Sequence, residues 1–186
     1  MAADEVRALL ANFQEGYARR DLALLDDFME LFIAGDELEV IGTNALEPGS
    51  GEWCLGRQAV RALIAADWQY WGDVVFDVKG ANIFVKGDAG WLATTGTVTD
   101  TIPVDDRYHG YLGYVRELLK DEEKSDKSKT LDIVQLGADI VLGLPLDDTF
   151  VWPFRFTAVV VKEAGGWRFH QMQFSFATTR APDERC

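Results

Sequence analysis

Proton transfer near neutral pH needs a side chain that titrates there, and only His109 and His170 do so without a large pKa shift. A lone strand histidine such as His170 serves either as a catalytic group or as a packed or interface residue. Asp67 and Asp100 are further possible bases, and each can equally face solvent. The catalytic candidates are therefore Asp67, Asp100 and His170. No HExxH or CxxC spacing occurs, and Cys54 and Cys186 lie far apart, so neither a metal site nor a cofactor is expected. Gly42, Gly49 and Gly51 read as turn residues, and no glycine-rich phosphate loop is present.

Arg155 is the most informative charge. It interrupts VWPFRFTAVVV, a run too apolar to face water on both sides. A buried guanidinium needs a partner, so Arg155 is expected to bind either an anionic ligand or a structural Asp or Glu.

The elements that must position these residues follow from periodicity. Val6, Leu9, Leu10, Phe13 and Tyr17 form the stripe of a first amphipathic helix. Asp21 is a suitable N-cap for a second, carrying Leu22, Leu25, Met29 and Phe32 and stopping near Gly35. A strand over Leu38–Thr43 and a loop over Asn44–Trp53 precede a third helix from about Arg57, with Val60, Leu63, Ile64, Trp68 and Trp71 on one side. Beyond Gly72 the period becomes two. Val74–Lys86 and Ala89–Thr101 predict a hairpin around Gly87-Asp88; Phe150–Lys162 and Trp167–Ala177 predict another around Gly165-Gly166. Three helices followed by two long hairpins indicate an α+β fold, one curved antiparallel sheet with helices on one face.

Between the hairpins, residues 105–148 read as a helical insertion. Tyr111, Leu112, Val115, Leu118 and Leu119 mark one helix; Leu131, Ile133, Val134, Leu136 and Ile140 mark another. The charged stretch Asp121–Lys129 is expected to be a solvated link. The insertion is a lid, an oligomer contact or decoration within a single domain spanning 1–186.

Composition bounds the partners. Lys and Arg total 18 against 31 Asp and Glu, a formal charge of −13, which argues against nucleic acid and anionic membranes. The start of the chain lacks a basic segment followed by an apolar one, and the cysteines suggest no disulfide framework, so a cytoplasmic location is expected.

YARRDLALLDDFM, VIGTN, EWCLGRQAV, AGWLATTGTV and FTAVVVKEAGGWRFHQMQFS occur in an order and spacing that resemble the SnoaL-like branch of the nuclear transport factor 2-like superfamily. The resemblance implies a cone: a bent sheet wrapped over the helices, open at one end to a pocket. It also implies homodimers paired through the outer sheet surface. It leaves open cyclase, isomerase or dehydratase chemistry and non-enzymatic assembly. The ketosteroid isomerase constellation is largely missing, because Val40–Leu46 and Thr149–Lys162 lack its two acids, while its tyrosine position on the first helix falls near Phe13, with Tyr17 one turn later. Several relatives end with a His-x-His pattern, whose matching positions here are Gln171 and Gln173. Strand alternation puts Trp167, Phe169, Gln171, Gln173 and Ser175 on one face and Arg168, His170, Met172, Phe174 and Phe176 on the other. The glutamines are assigned to the pocket, where they either bind a ligand or satisfy buried backbone groups, and the Met/Phe row to a dimer surface. Trp53 falls at the implied cavity rim, where it stacks on a ligand or plugs the cone.

The resulting expectation is a protein that binds a small, partly apolar organic ligand through Trp53, Arg155, Gln171 and Gln173, with any chemistry cofactor-free. It requires a cavity of about 300 Å³ or more. The alternative is an assembly module with a filled cone. An isomerase or cyclase with an unfamiliar base would instead place Asp67, Asp100 or His170 in the cavity with a perturbed pKa.

Overall fold

The computed structural model describes residues 2–101, 104–142, 144–146 and 149–176. Among these, residues 2–98 and 153–176 form one compact unit and residues 99–152 a second.

The first unit opens with α1 (Ala2–Arg19), whose stripe Val6, Leu9, Leu10, Phe13 and Tyr17 is buried as its spacing requires. The expected second helix is broken. Asp21 accepts a hydrogen bond from the Ala23 amide and caps a 3-10 turn (Leu22–Leu24), and only the five residues of α2 (Leu25–Met29) follow. Strands β1 (Glu39–Ile41) and β2 (Trp53–Leu55) pair antiparallel, and α3 (Arg57–Tyr70) buries Val60, Ile64 and Trp68. Trp53 thus stands on a strand rather than in the expected loop.

The first predicted hairpin arm divides into β3 (Asp73–Phe76) and β4 (Asn82–Lys86). Between them the Asp77 carboxylate accepts from the Gly80 amide, turning the chain. Arg7 of α1 donates to the carbonyls of Val78, Lys79 and Ala81, fixing that turn. Both strands pair with β5 (Ala89–Thr101).

Strands β7 (Thr149–Glu163) and β8 (Gly166–Phe176) make the second hairpin. The sheet order is β2-β1-β8-β7-β5-β3, and it is mixed because β1 runs parallel to β8, with Val40 opposite Met172. The curvature is visible at Phe13. Its ring lies 5.4 Å from Phe76 on β3, 5.9 Å from Phe156 on β7 and 5.3 Å from Phe169 on β8. Neighbouring strands are about 4.8 Å apart, so one side chain meets strands this far apart in the order only if the sheet bends around it.

One irregularity sets the phase of β8. Val159 pairs with Gln171 but Val160 pairs with Phe169, leaving His170 as the extra residue of a β-bulge. A bulge interrupts the two-residue alternation. Trp167 and Phe169 before it and Met172 and Phe174 after it are therefore all buried.

In the second unit, α4 (Val104–Lys120) packs against α5 (Asp126–Leu142). The charged link is shorter than expected, since α5 already begins at Asp126. Ser125 Oγ accepts from the Ser128 amide as an N-cap, and Lys124 pairs with Asp132 at 2.8 Å. A short β6 (Leu144–Leu146) pairs with the start of β7. No helix among the described residues is long and apolar enough to cross a membrane.

Candidate functional site

The third helix carries an acid on its apolar stripe. Asp67 lies four residues after Leu63, three after Ile64 and four before Trp71, so it turns with them toward the sheet. There it meets α1: Tyr17 donates its phenolic hydrogen to Asp67 Oδ2 at 2.7 Å. Burial pushes the Asp67 carboxyl up to about 7; the Tyr17 hydrogen bond opposes that shift, the nearby Glu52 charge adds to it and Arg20 subtracts from it. Tyr17 is 2% exposed, and burial together with the Asp67 charge raises its hydroxyl well above the usual tyrosine range, so it remains a donor.

Glu52 enters from the loop before β2. Its carboxylate accepts from the Asn44 amide at 2.9 Å, from Thr43 Oγ1 at 3.2 Å and from Asn44 Nδ2 at 3.4 Å. Gly42 makes this approach possible, because a Cβ there would sit 2.4 Å from Glu52 Oε2. Cys54, directly opposite the inward-facing Val40, is a free thiol; burial first, then the Glu52 and Asp67 charges, raise its pKa, which keeps it protonated and a poor nucleophile.

Tyr17, Glu52, Asp67 and Thr43 share a cavity of about 30 Å³ with Val40, Leu63, Ile64, Trp71, Met172 and Phe174. That is space for roughly two waters, and it is a tenth of the expected size. The reason is aromatic filling. Phe13 alone meets the rings of Tyr17, Phe28, Phe32, Phe76, Phe156 and Phe169 within 6.2 Å. A separate groove of about 270 Å³, lined by Asn12, Gly16, Leu24, Phe28, Leu31 and Trp68 among others, contains none of the candidate residues.

Of the sequence candidates, the structure places only Asp67 in the cavity. Asp100 is half-buried in the second unit, and His170 is the half-buried bulge residue. The assignment of Gln171 and Gln173 to the interior and Met172 and Phe174 to the exterior is reversed, because the bulge at His170 inverts the alternation. Gln173 is exposed, and Gln171 Nε2 donates to Glu39 Oε2 at 2.6 Å. Trp53 joins the same outer-face cluster, its indole N–H donating to Glu39 Oε1 at 2.7 Å. Arg155 is exposed rather than buried. Phe154, Phe156, Ala158 and Val160 point inward while Arg155 points out, and its guanidinium donates to the Phe176 carbonyl.

Glu52 escaped the sequence reading, whereas Tyr17 entered it both as a stripe residue and as the tyrosine one turn beyond the isomerase position. Nothing local marks Glu52. No three His, Cys, Asp or Glu side chains among the described residues gather as a metal-binding set.

Residues 6–112 match the family model described as the SnoaL-like domain. No curated protein matches the chain in sequence. Among solved structures, a nuclear transport factor 2-like superfamily protein from Salmonella enterica is 12% identical with a TM-score of 0.59, over 98% of this chain and 96% of that one. A candidate dehydratase of the same family from Streptomyces avermitilis is 14% identical, TM-score 0.57, covering 95% and 96%. A ketosteroid isomerase-like protein from Erwinia carotovora is 11% identical, TM-score 0.53, covering 96% and 98%. Likeness at these identities speaks for the fold.

Proposed function

We propose that this chain, which belongs to the SnoaL-like domain family, performs cofactor-free proton transfer on the end of a small, partly apolar organic molecule. Asp67 takes the proton and returns it, as in an isomerase, cyclase or dehydratase. One observation carries this reading: a carboxyl group with a pKa of about 7 lines a cavity that is otherwise mostly apolar. Such a group is about half protonated at neutral pH, which suits both removal and return of a proton. Tyr17 holds the carboxylate in place. The cavity, with space for roughly two waters, limits what enters to the reactive group itself, with the rest of the molecule at the mouth.

Incubation of the protein with small ketones in D2O tests the reading. Deuterium is expected next to the carbonyl, with loss of exchange in Asp67→Asn. Exchange unchanged by that substitution, or Asp67 titrating near 4, would reject it.

The filled aromatic interior favours a second reading, an assembly module that pairs through the outer sheet face. Exposed Leu55 and Val159, beside the Trp53–Glu39–Gln171 cluster, supply a surface for a homodimer. Solution mass separates a monomer from a dimer, and a dimer whose Asp67 titrates near 4 would support assembly over chemistry.

A further inference from the structure

Among the described residues, one buried side-chain polar atom has no hydrogen-bond partner, the indole nitrogen of Trp68. Trp68 is 6% exposed, and a buried indole N–H ordinarily finds an acceptor. Its aromatic neighbours supply none. The Phe28 ring, 4.9 Å away, carries no oxygen, and the Tyr17 hydroxyl, which donates to Asp67, makes no bond to it. An indole nitrogen only donates, so whatever completes it must bring an acceptor.

The same ring lines the groove of about 270 Å³, which shares no lining residue with the cavity beside Asp67. Gly16 of α1, Leu24 of the 3-10 turn, Phe28 of α2 and Leu31 give the groove its apolar walls. Gly16 lets Phe28 close against α1, because a Cβ there would stand 2.1 Å from the Phe28 ring. Leu24 is 39% exposed, an apolar side chain that an occupant would cover. Small-ligand sites begin at about 300 Å³, so a single ring with a short substituent suits this space. Charge at the groove narrows the class further. Glu15, Asp21 and Asp27 line it against one cation, Arg19, which is paired with Glu15. That excess of negative charge repels a carboxylate, so the acceptor is a neutral oxygen.

We propose that this groove is a second binding site, for an uncharged aromatic carbonyl compound. The carbonyl oxygen accepts from Trp68 Nε1, and the ring lies on Leu24, Phe28 and Leu31. The site stands apart from the proton-transfer reading of the Asp67 cavity, and neither depends on the other.

Benzamide, benzoate and α-methylstyrene are matched in shape, and of the three only benzamide carries a neutral oxygen. Benzamide also has no hydrogen on the carbon next to its carbonyl, so chemistry at Asp67 cannot produce the signal. Each is titrated into ¹⁵N-labelled protein, following by NMR the one of six indole N–H resonances that belongs to Trp68. Benzamide is expected to move that resonance downfield and saturably. α-Methylstyrene should leave it without a downfield shift, and benzoate should bind at least about tenfold more weakly than benzamide. Trp68→Phe removes the donor and should cut the preference for benzamide over α-methylstyrene about fivefold to tenfold. Leu24→Asp, on the partly exposed wall, spares the core and should weaken benzamide at least about tenfold, which keeps the test decisive if Trp68→Phe does not fold. No saturable shift of the Trp68 resonance, benzoate binding as tightly as benzamide, an unchanged preference in a folded Trp68→Phe, or full affinity in Leu24→Asp overturns the proposal.

Discussion

Tyr17 on the first helix and Asp67 on the third are joined by a 2.7 Å hydrogen bond, although 50 residues separate them in sequence. The pair closes one end of the aromatic core, since the Tyr17 ring also lies 4.9 Å from Phe13 and 6.4 Å from both Trp68 and Trp71. A polar contact is thus fixed by the same packing that holds the unit together.

The first consequence is a pH-dependent stability. Asp67 releases its proton at about 7 in the folded chain, against about 3.9 for an ordinary exposed aspartate. Between roughly pH 4 and 7 the unfolded chain has already lost the proton that the native state keeps, so stability falls as pH rises through this window and is level above it. The loss is up to about 4 kcal/mol, reduced by the solvent contact that Asp67 retains. Asp67→Asn mimics the protonated form, and its urea midpoint should exceed that of the parent at pH 8 while the two converge near pH 4. Equal midpoints at pH 8 would contradict the raised pKa.

Tyr17→Phe tests the hydrogen bond separately. The hydroxyl stabilises the ionised carboxylate, so its removal should move the Asp67 titration above 7, read from the carboxyl resonance. A buried acceptor left without its donor also costs about 1–3 kcal/mol. Any exchange activity should then shift its pH profile to higher pH without a change in the reaction it catalyses.

The bulge at His170 makes a prediction about two adjacent residues. Met172 is 1% exposed and lines the cavity, whereas Gln173 is exposed. Met172→Gln should destabilise by about 2–5 kcal/mol, combining lost burial with a polar amide in the core. Gln173→Met should change stability by less than about 0.5 kcal/mol. Thermal denaturation of the two variants decides the matter, and the opposite ranking would mean that β8 alternates without interruption.

That contrast shows where the sequence was readable. The stripe of α1 and the alternation of β7 are local properties, and Phe13, Tyr17, Phe154 and Phe156 point where their spacing sends them. Arg155 faces outward because its apolar run still alternates: Pro153, Thr157 and Val159 share its exposed face, so the run is buried on one side only. The His170 bulge leaves no mark in composition, since an extra strand residue looks like any other until its partner strand is known. Pairing of β1 with β8 joins residues more than a hundred positions apart, and Glu52 reaches the cavity only because Gly42 and Asn44 shape the loop around it. Asp67 is legible as a candidate base, and an acid at the position of an apolar stripe is the kind of local conflict that marks functional sites.

Phe13 offers the test of whether the interior is filled or merely closed. Its ring is fully buried and touches six other rings, with Phe156 stacked on it at an interplanar angle of 19°. Truncation to alanine removes both the buried area and the aromatic contacts, and the neighbours come from α1, α2, the segment after α2 that carries Phe32, β3, β7 and β8, so no single element can shift to fill the gap. Phe13→Ala should therefore cost about 3–5 kcal/mol. Phe13→Leu, which retains most of the volume, should cost clearly less. If the space stays open it forms a dry cavity lined by aromatic rings beside Tyr17, detectable by uptake of benzene or xenon. A loss below about 1 kcal/mol for the alanine variant, with no such uptake, would mean that the core around Phe13 collapses freely and that its packing is not what limits the cavity beside Asp67.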